Sequence, residues 1–198
     1  RCYSFHSNGR ERTNKYGYQY IHNGINMRMT EFQGALLLQQ MTRIEAQAKV
    51  RTQNAEFLTE QLKQIPGITP AKHYDGVTRT AYHLYMFRYD PSKFHGVPRD
   101  KFLKALNAEG ISSGSGYTPL NKEPLIEETV RSRGFQASFP KERIDQYLKE
   151  NNCPANDKLC GEAVWFFQSM LLGSKSDMEQ IVAAIRKIHK NAAALAKA

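Results

Sequence analysis

The clearest periodicity in the chain lies between residues 30 and 65. Leu37, Met41, Ile44, Ala48, Ala55, Leu58, Leu62 and Ile65 recur at spacings of three, four and seven, which traces one face of a 3.6-residue helix. The pattern predicts one helix of about 35 residues. Thr30 and Gln33 are spaced as a capping box at its start, and Pro66-Gly67 stops it. A helix this long does not fit inside one compact core. The polar stretch ahead of it, Gly24-Ile25-Asn26-Met27-Arg28-Met29, delivers Asn26 and Arg28 within a turn of the helix start. Free N–H groups and the helix dipole favour anions there. An amide donor and a forked cation both suit phosphate or carboxylate. Taken alone, the same residues also read as a turn residue and a solvated charge.

Elsewhere the pattern is shorter. Residues 1–23 are polar and aromatic, a short helical start followed by an irregular loop. A linker with Pro70, Asp75 and Gly76 precedes Tyr82-His83-Leu84-Tyr85-Met86-Phe87-Arg88-Tyr89, a strand apolar on both faces. His83 within it reads as a core or surface histidine ahead of any site role. Asp90-Pro91 turns the chain, and Pro98-Arg99-Asp100 opens a helix through Phe102, Leu103 and Leu106 that Gly110 stops. Residues 111–120 carry two glycines but neither a P-loop ending nor Rossmann spacing. They read as a short strand entering a Gly116-Tyr117-Thr118-Pro119-Leu120 turn. Residues 131–150 are mixed, with a short helix over 140–148. Val164-Trp165-Phe166-Phe167-Gln168 is a buried strand. Ser176-Asp177-Met178-Glu179 reads as a second capping box opening a last helix with Met178, Ile181, Val182, Ile185 and Ile188 on one face. The Ala-rich tail after Asn191 is expected to fray. Three strands with flanking helices give an α+β arrangement, an antiparallel sheet covered by helices on one face.

Composition narrows the classes. With 198 residues, 40% of them hydrophobic and only 24% charged, the chain has enough apolar surface for one large or two small folded domains. No run of about 18 apolar residues crosses a membrane, and no signal peptide is visible. Three cysteines, an odd number, fit a reducing cytoplasm better than a disulfide framework. Cys153 and Cys160 lie seven apart with the nearest downstream histidine at His189, which is poor zinc geometry, so both read as structural thiols and no metal is expected. The formal charge of +9 would suit an anionic partner. However, the Lys and Arg residues are spread out, with no basic run interleaved with aromatics, so no nucleic-acid partner is expected.

Gly24-x-Asn26-x-Arg28-Met29-x-Glu31-x-Gln33, followed by a helix rich in Ala, Leu and Gln, resembles the DegT/DnrJ/StrS family of pyridoxal 5'-phosphate (PLP)-dependent sugar aminotransferases. Phe5-His6-Ser7-Asn8-Gly9-Arg10 is similar to an upstream segment of that family, and Tyr20, His22 and Gly24 fall in a similar approach. The resemblance runs to the C-terminus. It implies an α+β chain (α/β over the intact protein): the long linking helix plus the C-terminal small domain of a fold-type I aminotransferase. On that reading residues 1–65 are the edge of the large PLP domain with the linking helix, and residues 66–198 are the small domain. The family's Schiff-base lysine motif resembles Ser-Phe-His-x-x-Lys. Here Ser4-Phe5-His6-Ser7-Asn8 leads to Gly9, so the lysine is expected upstream of Arg1, the chain reads as a C-terminal fragment, and this polypeptide alone is expected to be inactive.

Gly116-Tyr117-Thr118-Pro119-Leu120-Asn121-Lys122-Glu123-Pro124-Leu125 and Cys153-Pro154…Cys160…Glu162-Ala163-Val164-Trp165 resemble one branch of the family, the glutamine:scyllo-inosose aminotransferases and 3-amino-5-hydroxybenzoate synthases. The nucleotide-sugar branch has His-Tyr in place of Gly116-Tyr117 and a His at Asn121. The resemblance implies transfer of an amino group from glutamine or glutamate to a keto-sugar or keto-cyclitol, in a cytoplasmic homodimer. It implies that Asn26 binds the cofactor phosphate across the subunit boundary, that Arg28 lies beside the substrate or donor carboxylate, and that Tyr117 and Asn121 face the ring. A PLP-dependent sugar dehydratase of the same family, in which His replaces the lysine, and a basic binding module without catalysis are the competing readings.

Overall fold

The computed structural model describes residues 2–11 and 19–197, in two compact units, 1–47 and 48–198. The segment 12–18, part of the expected irregular loop, lies outside the described residues.

In the first unit a short helix α1 (Cys2–His6) leads into two chain segments that cross. Ile25 N donates to Phe5 O at 2.9 Å, Met27 N to His6 O at 2.9 Å, and Asn8 N to Ile25 O at 3.1 Å. Isolated bridges join Ser7 to Asn26 and Arg10 to Tyr20. The crossing needs glycine on both sides. A Cβ at Gly24 would run into Gly9 N and Phe5 O, and one at Gly9, where φ is +78°, would run into the His22 carbonyl. The long helix α2 (Glu31–Leu62) starts where the capping box places it. Gln33 N donates to Thr30 Oγ1 at 3.2 Å, and Thr30 N to Gln33 Oε1 at 2.9 Å.

The expected stripe of α2 is buried only in part. Ala55, Leu58 and Leu62 are in the core of the second unit, but Leu37, Met41 and Ile44 are exposed within the first. Periodicity reports which face a helix offers and not whether this chain covers it.

The second unit is built on a four-stranded sheet in the order β1-β2-β4-β3: β1 (Ile68–Pro70), β2 (Leu84–Tyr89), β3 (Gly114–Ser115) and β4 (Ala163–Phe167). All pairings are antiparallel. Tyr85, Phe87 and Tyr89 of β2 and Val164 and Phe166 of β4 share the core face, with Tyr85 opposite Phe166 and Phe87 opposite Val164. The helices on that face are the C-terminal part of α2, α3 (Arg99–Ala108) and α8 (Lys175–Lys190). Tyr89 lies at the centre, stacked on Phe102 at 4.4 Å with its hydroxyl donating to Val97 O at 2.8 Å. Full burial of each such side chain contributes about 1.5–3 kcal/mol. Burial also pushes the Tyr85 phenol up to about 12, against the opposing effect of its 3.0 Å hydrogen bond with Thr59. The α+β class, with the sheet covered on one face, is therefore as expected.

Several expectations need correction. β2 is buried on one face only: Met86 and Arg88 point away from the core, and His83 precedes the strand and is exposed. β1 lies where a linker was expected. It is a three-residue edge strand ending in Pro70, which an edge tolerates because nothing pairs with its missing N–H. Between β3 and β4 the chain forms four helices, α4 (Pro124–Val130), α5 (Arg133–Ser138), α6 (Lys141–Glu150) and α7 (Pro154–Glu162), of which only α6 was anticipated. Cys153 is the exposed residue ahead of α7, with Pro154 at the first helical position; neither it nor half-buried Cys160 is in the core. The capping box of α8 is Ser174/Asp177, two residues earlier than expected. The tail forms α9 (Ala192–Lys197), with Ala192 buried and Leu195 packed on the core.

Candidate functional site

The first cluster belongs to the unit 1–47. The bridge between Ser7 and Asn26 sets the two segments side by side. Arg28 Nη1 then donates to Ser7 Oγ at 3.1 Å, and Arg28 N to Asn26 Oδ1 at 3.2 Å. Asn26 thus has its acceptor engaged, and among the described residues nothing takes its Nδ2 donors. Arg28 has no carboxylate partner among the described residues. An open amide donor and an uncompensated guanidinium stand together two residues before the capped start of α2. This is a donor set for a phosphate or carboxylate. Ser7 is the contributor that sequence reasoning missed. It is buried, and its only signal was its place inside the Phe5–Arg10 motif.

The second cluster belongs to the unit 48–198, on the turn after β3. Gly114 of β3 and Gly116 of the turn are both required by close packing. A Cβ at Gly114 would strike the Trp165 indole, and one at Gly116 would strike the Cys160 carbonyl. Gly116 N donates to Ala163 O at 2.9 Å. Arg99 holds the same place from below, its Nη1 donating to Cys160 O and to Ala163 O at 3.2 Å. The chain then presents Tyr117, 70% exposed, with its ring 5.0 Å from that of Trp165. Asn121 is tied to the end of α6 by two reciprocal bonds: its Nδ2 donates to Asn151 O at 3.2 Å, and Asn151 Nδ2 donates to Asn121 O at 3.1 Å. The Oδ1 of Asn121 is buried without a partner among the described residues. Beside it Lys122 pairs with Asp157 at 2.7 Å. Trp165, Arg99 and Asn151 were not anticipated, because each acts across 30 or more residues of sequence.

Asn26 and Arg28 are thus brought together in one unit, and Tyr117 and Asn121 in the other. Among the described residues no group of His, Cys, Asp and Glu could hold a metal, and no helix is long and apolar enough to cross a membrane.

The sequence profile of the DegT/DnrJ/EryC1/StrS aminotransferases matches residues 1–186. The chain belongs to that family. An L-glutamine:2-deoxy-scyllo-inosose aminotransferase of Streptoalloteichus tenebrarius is 31% identical over 166 residues, 83% of this chain and 38% of the relative. An L-glutamine:scyllo-inosose aminotransferase of Streptomyces griseus is 30% identical over 169 residues, 85% of this chain and 39% of the relative. The crystal structure of 3-amino-5-hydroxybenzoic acid synthase shares the fold, with a TM-score of 0.69 at 23% identity over 94% of this chain and 45% of that one. These are the two kinds of protein to which the segments 116–125 and 153–165 pointed. The chain spans about two fifths of the length of the curated relatives it matches.

Proposed function

We propose that the intact protein is a PLP-dependent aminotransferase that moves an amino group from glutamine or glutamate to the ketone of a cyclitol or sugar ring. The observation that carries this reading is the cluster Asn26–Arg28–Ser7 before a capped helix start, in a chain whose relatives are named for glutamine-dependent amination of inososes.

The residues present fit the phosphate end of the cofactor. Asn26 offers its Nδ2 donors, and Arg28, held by Ser7, places a guanidinium beside them. When bound, the cofactor supplies the electron sink for moving an amino group between two carbon centres. Asn26 holds its phosphate, and in the proposed homodimer does so from the neighbouring subunit. Arg28 orients a carboxylate by forked hydrogen bonds. Tyr117 supplies an exposed ring and hydroxyl to the polyhydroxylated acceptor, and Asn121 sets the end of that turn. The lysine that exchanges protons with the reacting centre is placed upstream of this chain. Residues 1–65 are assigned to the edge of the large domain with the linking helix, and 66–198 to the small domain. The proposed compartment is a reducing cytoplasm, a reading that three free thiols support.

The reading is tested on the intact protein from its native source by borohydride reduction followed by intact mass, with turnover of glutamine and 2-deoxy-scyllo-inosose measured in parallel. A cofactor adduct and ketone-dependent consumption of glutamine are expected. Absence of both would overturn the reading. In the same protein, Asn26→Ala is expected to weaken cofactor retention about 10-fold or more, the loss of one charge-assisted contact. Unchanged affinity would remove Asn26 from the site.

A further inference from the structure

Helices α4, α5 and α6, which lie between the Tyr117 turn and α7, line an open cavity of about 430 Å³. That volume is within the range of small-molecule sites, about 300–1,000 Å³. Ile126 and Val130 of α4 form one wall, Phe135 and Phe139 of α5 to its end form another, and Tyr147 of α6 a third. The rings of Phe135 and Phe139 stack at 5.9 Å and 26°. Phe135, Phe139 and Tyr147 each keep more than a third of their surface in solvent.

Charge decides what such a cavity would take. Of the basic residues on and between these helices, Arg131 is held by Glu127 at 2.9 Å and Asp145 at 3.1 Å, Lys141 is paired with the same Asp145, and Arg133 and Lys149 do not line the cavity. Arg143 is the basic residue that lines the cavity, and among the described residues it has no carboxylate partner. The cavity therefore joins an apolar, ring-lined body to one uncompensated guanidinium. A neutral hydrocarbon would leave that cation unused, and a strongly polar anion would leave the ring walls uncovered.

We infer that the cavity between α4, α5 and α6 is a binding site for a small amphiphilic carboxylate, with a flat or short-chain apolar body in the cavity and the anion on Arg143. This inference does not rest on the aminotransferase reading, since no residue of the Asn26 cluster or of the Tyr117 turn lines the cavity, and it stands if that reading fails. The cavity is nevertheless adjacent to the turn: α4 begins three residues after Asn121, and α6 ends one residue before Asn151, its hydrogen-bond partner.

The test is calorimetric titration of the purified protein with 4-phenylbutanoate and, separately, with the neutral 4-phenylbutan-1-ol. Saturable one-site binding of the acid is expected, with the alcohol about 10-fold weaker, one charge-assisted hydrogen bond in affinity terms. Arg143→Gln, at an exposed side chain, should abolish the difference between the two ligands while leaving the circular dichroism spectrum unchanged. Val130→Trp should fill the cavity and remove binding of both. No saturable binding by the parent protein, equal affinity for acid and alcohol, or an unaltered preference in Arg143→Gln would each overturn the proposal. So would a Val130→Trp variant that sediments as a smaller species than the parent, which would mean that a second copy of the chain covers these walls.

Discussion

Gly116 occupies a position where one methyl group separates a folded turn from a clash. Its Cβ would enter the carbonyl of Cys160, a backbone atom fixed at the end of α7 and held by Arg99. Gly116→Ala is expected to destabilise the protein by about 1–3 kcal/mol, the usual range for overpacking a close contact, read as a lower urea midpoint at unchanged slope. Gly134→Ala is the control. It lies in α5 with nothing within 4 Å of the added atom, so it should be neutral or stabilising by up to about 1 kcal/mol. At this scale the sequence was legible where chemistry and local spacing coincide. Thr30 and Gln33 are three apart, and their two bonds form as the spacing requires. It was illegible where a residue's partner is remote. Nothing near Asn121 points to Asn151, and nothing near Gly116 points to Cys160.

Among the elements, α2 gives the sharpest contrast, because one stripe has two fates. Leu58 is fully buried while Leu37, on the same stripe, is 48% exposed. Leu58→Ala should cost about 2–5 kcal/mol, and Leu37→Ala less than about 0.5 kcal/mol, both by equilibrium denaturation of this chain. A large cost at Leu37 would mean that the chain covers the first half of its own helix. The start of α8 gives a pH prediction. Hydrogen bonds from the Ser174 side chain and then from its backbone hold the Asp177 carboxyl below the usual carboxylate range. A carboxyl depressed in the folded state stabilises above its unfolded value, about 3.9, and this is lost as pH falls through the lower folded value. The melting temperature should therefore drop below about pH 4, and Asp177→Asn should flatten that part of the profile. The cap was misplaced by two residues in the sequence because Ser174-x-x-Asp177 and Ser176-x-x-Glu179 both fit the spacing. Only Ser174 is followed by helical backbone at the right point. The helices α4, α5 and α7 were missed because six to nine residues give too little periodicity to exceed the Pro and Gly signals that interrupt them.

For the molecule as a whole, the charge of +9 is a test of the difference between quantity and arrangement. Many cations are spent locally: Arg88 on Glu162, Lys122 on Asp157, Arg131 and Lys141 on Asp145, Lys187 on Glu109. A mobility-shift assay with a short DNA duplex at about 150 mM salt should show no complex, since phosphate binding without a continuous basic track fades steeply with salt. A salt-sensitive shift would reopen the binding-module reading. Fold class and family were legible because they rest on patterns spread along the chain, the long stripe and the Asn-x-Arg motif. The sheet's edge was not, because β1 has three residues and takes its identity from β2.

The anchoring of the Tyr117 turn has a consequence for how the turn responds to its surroundings. Its neighbours are fastened by ion pairs, Lys122–Asp157 on one side and Arg131–Asp145 on the other, which ionic strength screens. The turn itself is fastened by two amides exchanging hydrogen bonds with two carbonyls, a ring without formal charge. Neutral amides do not ionise across the working range of a protein. Salt that weakens those ion pairs therefore leaves the two amide hydrogen bonds of the turn in place.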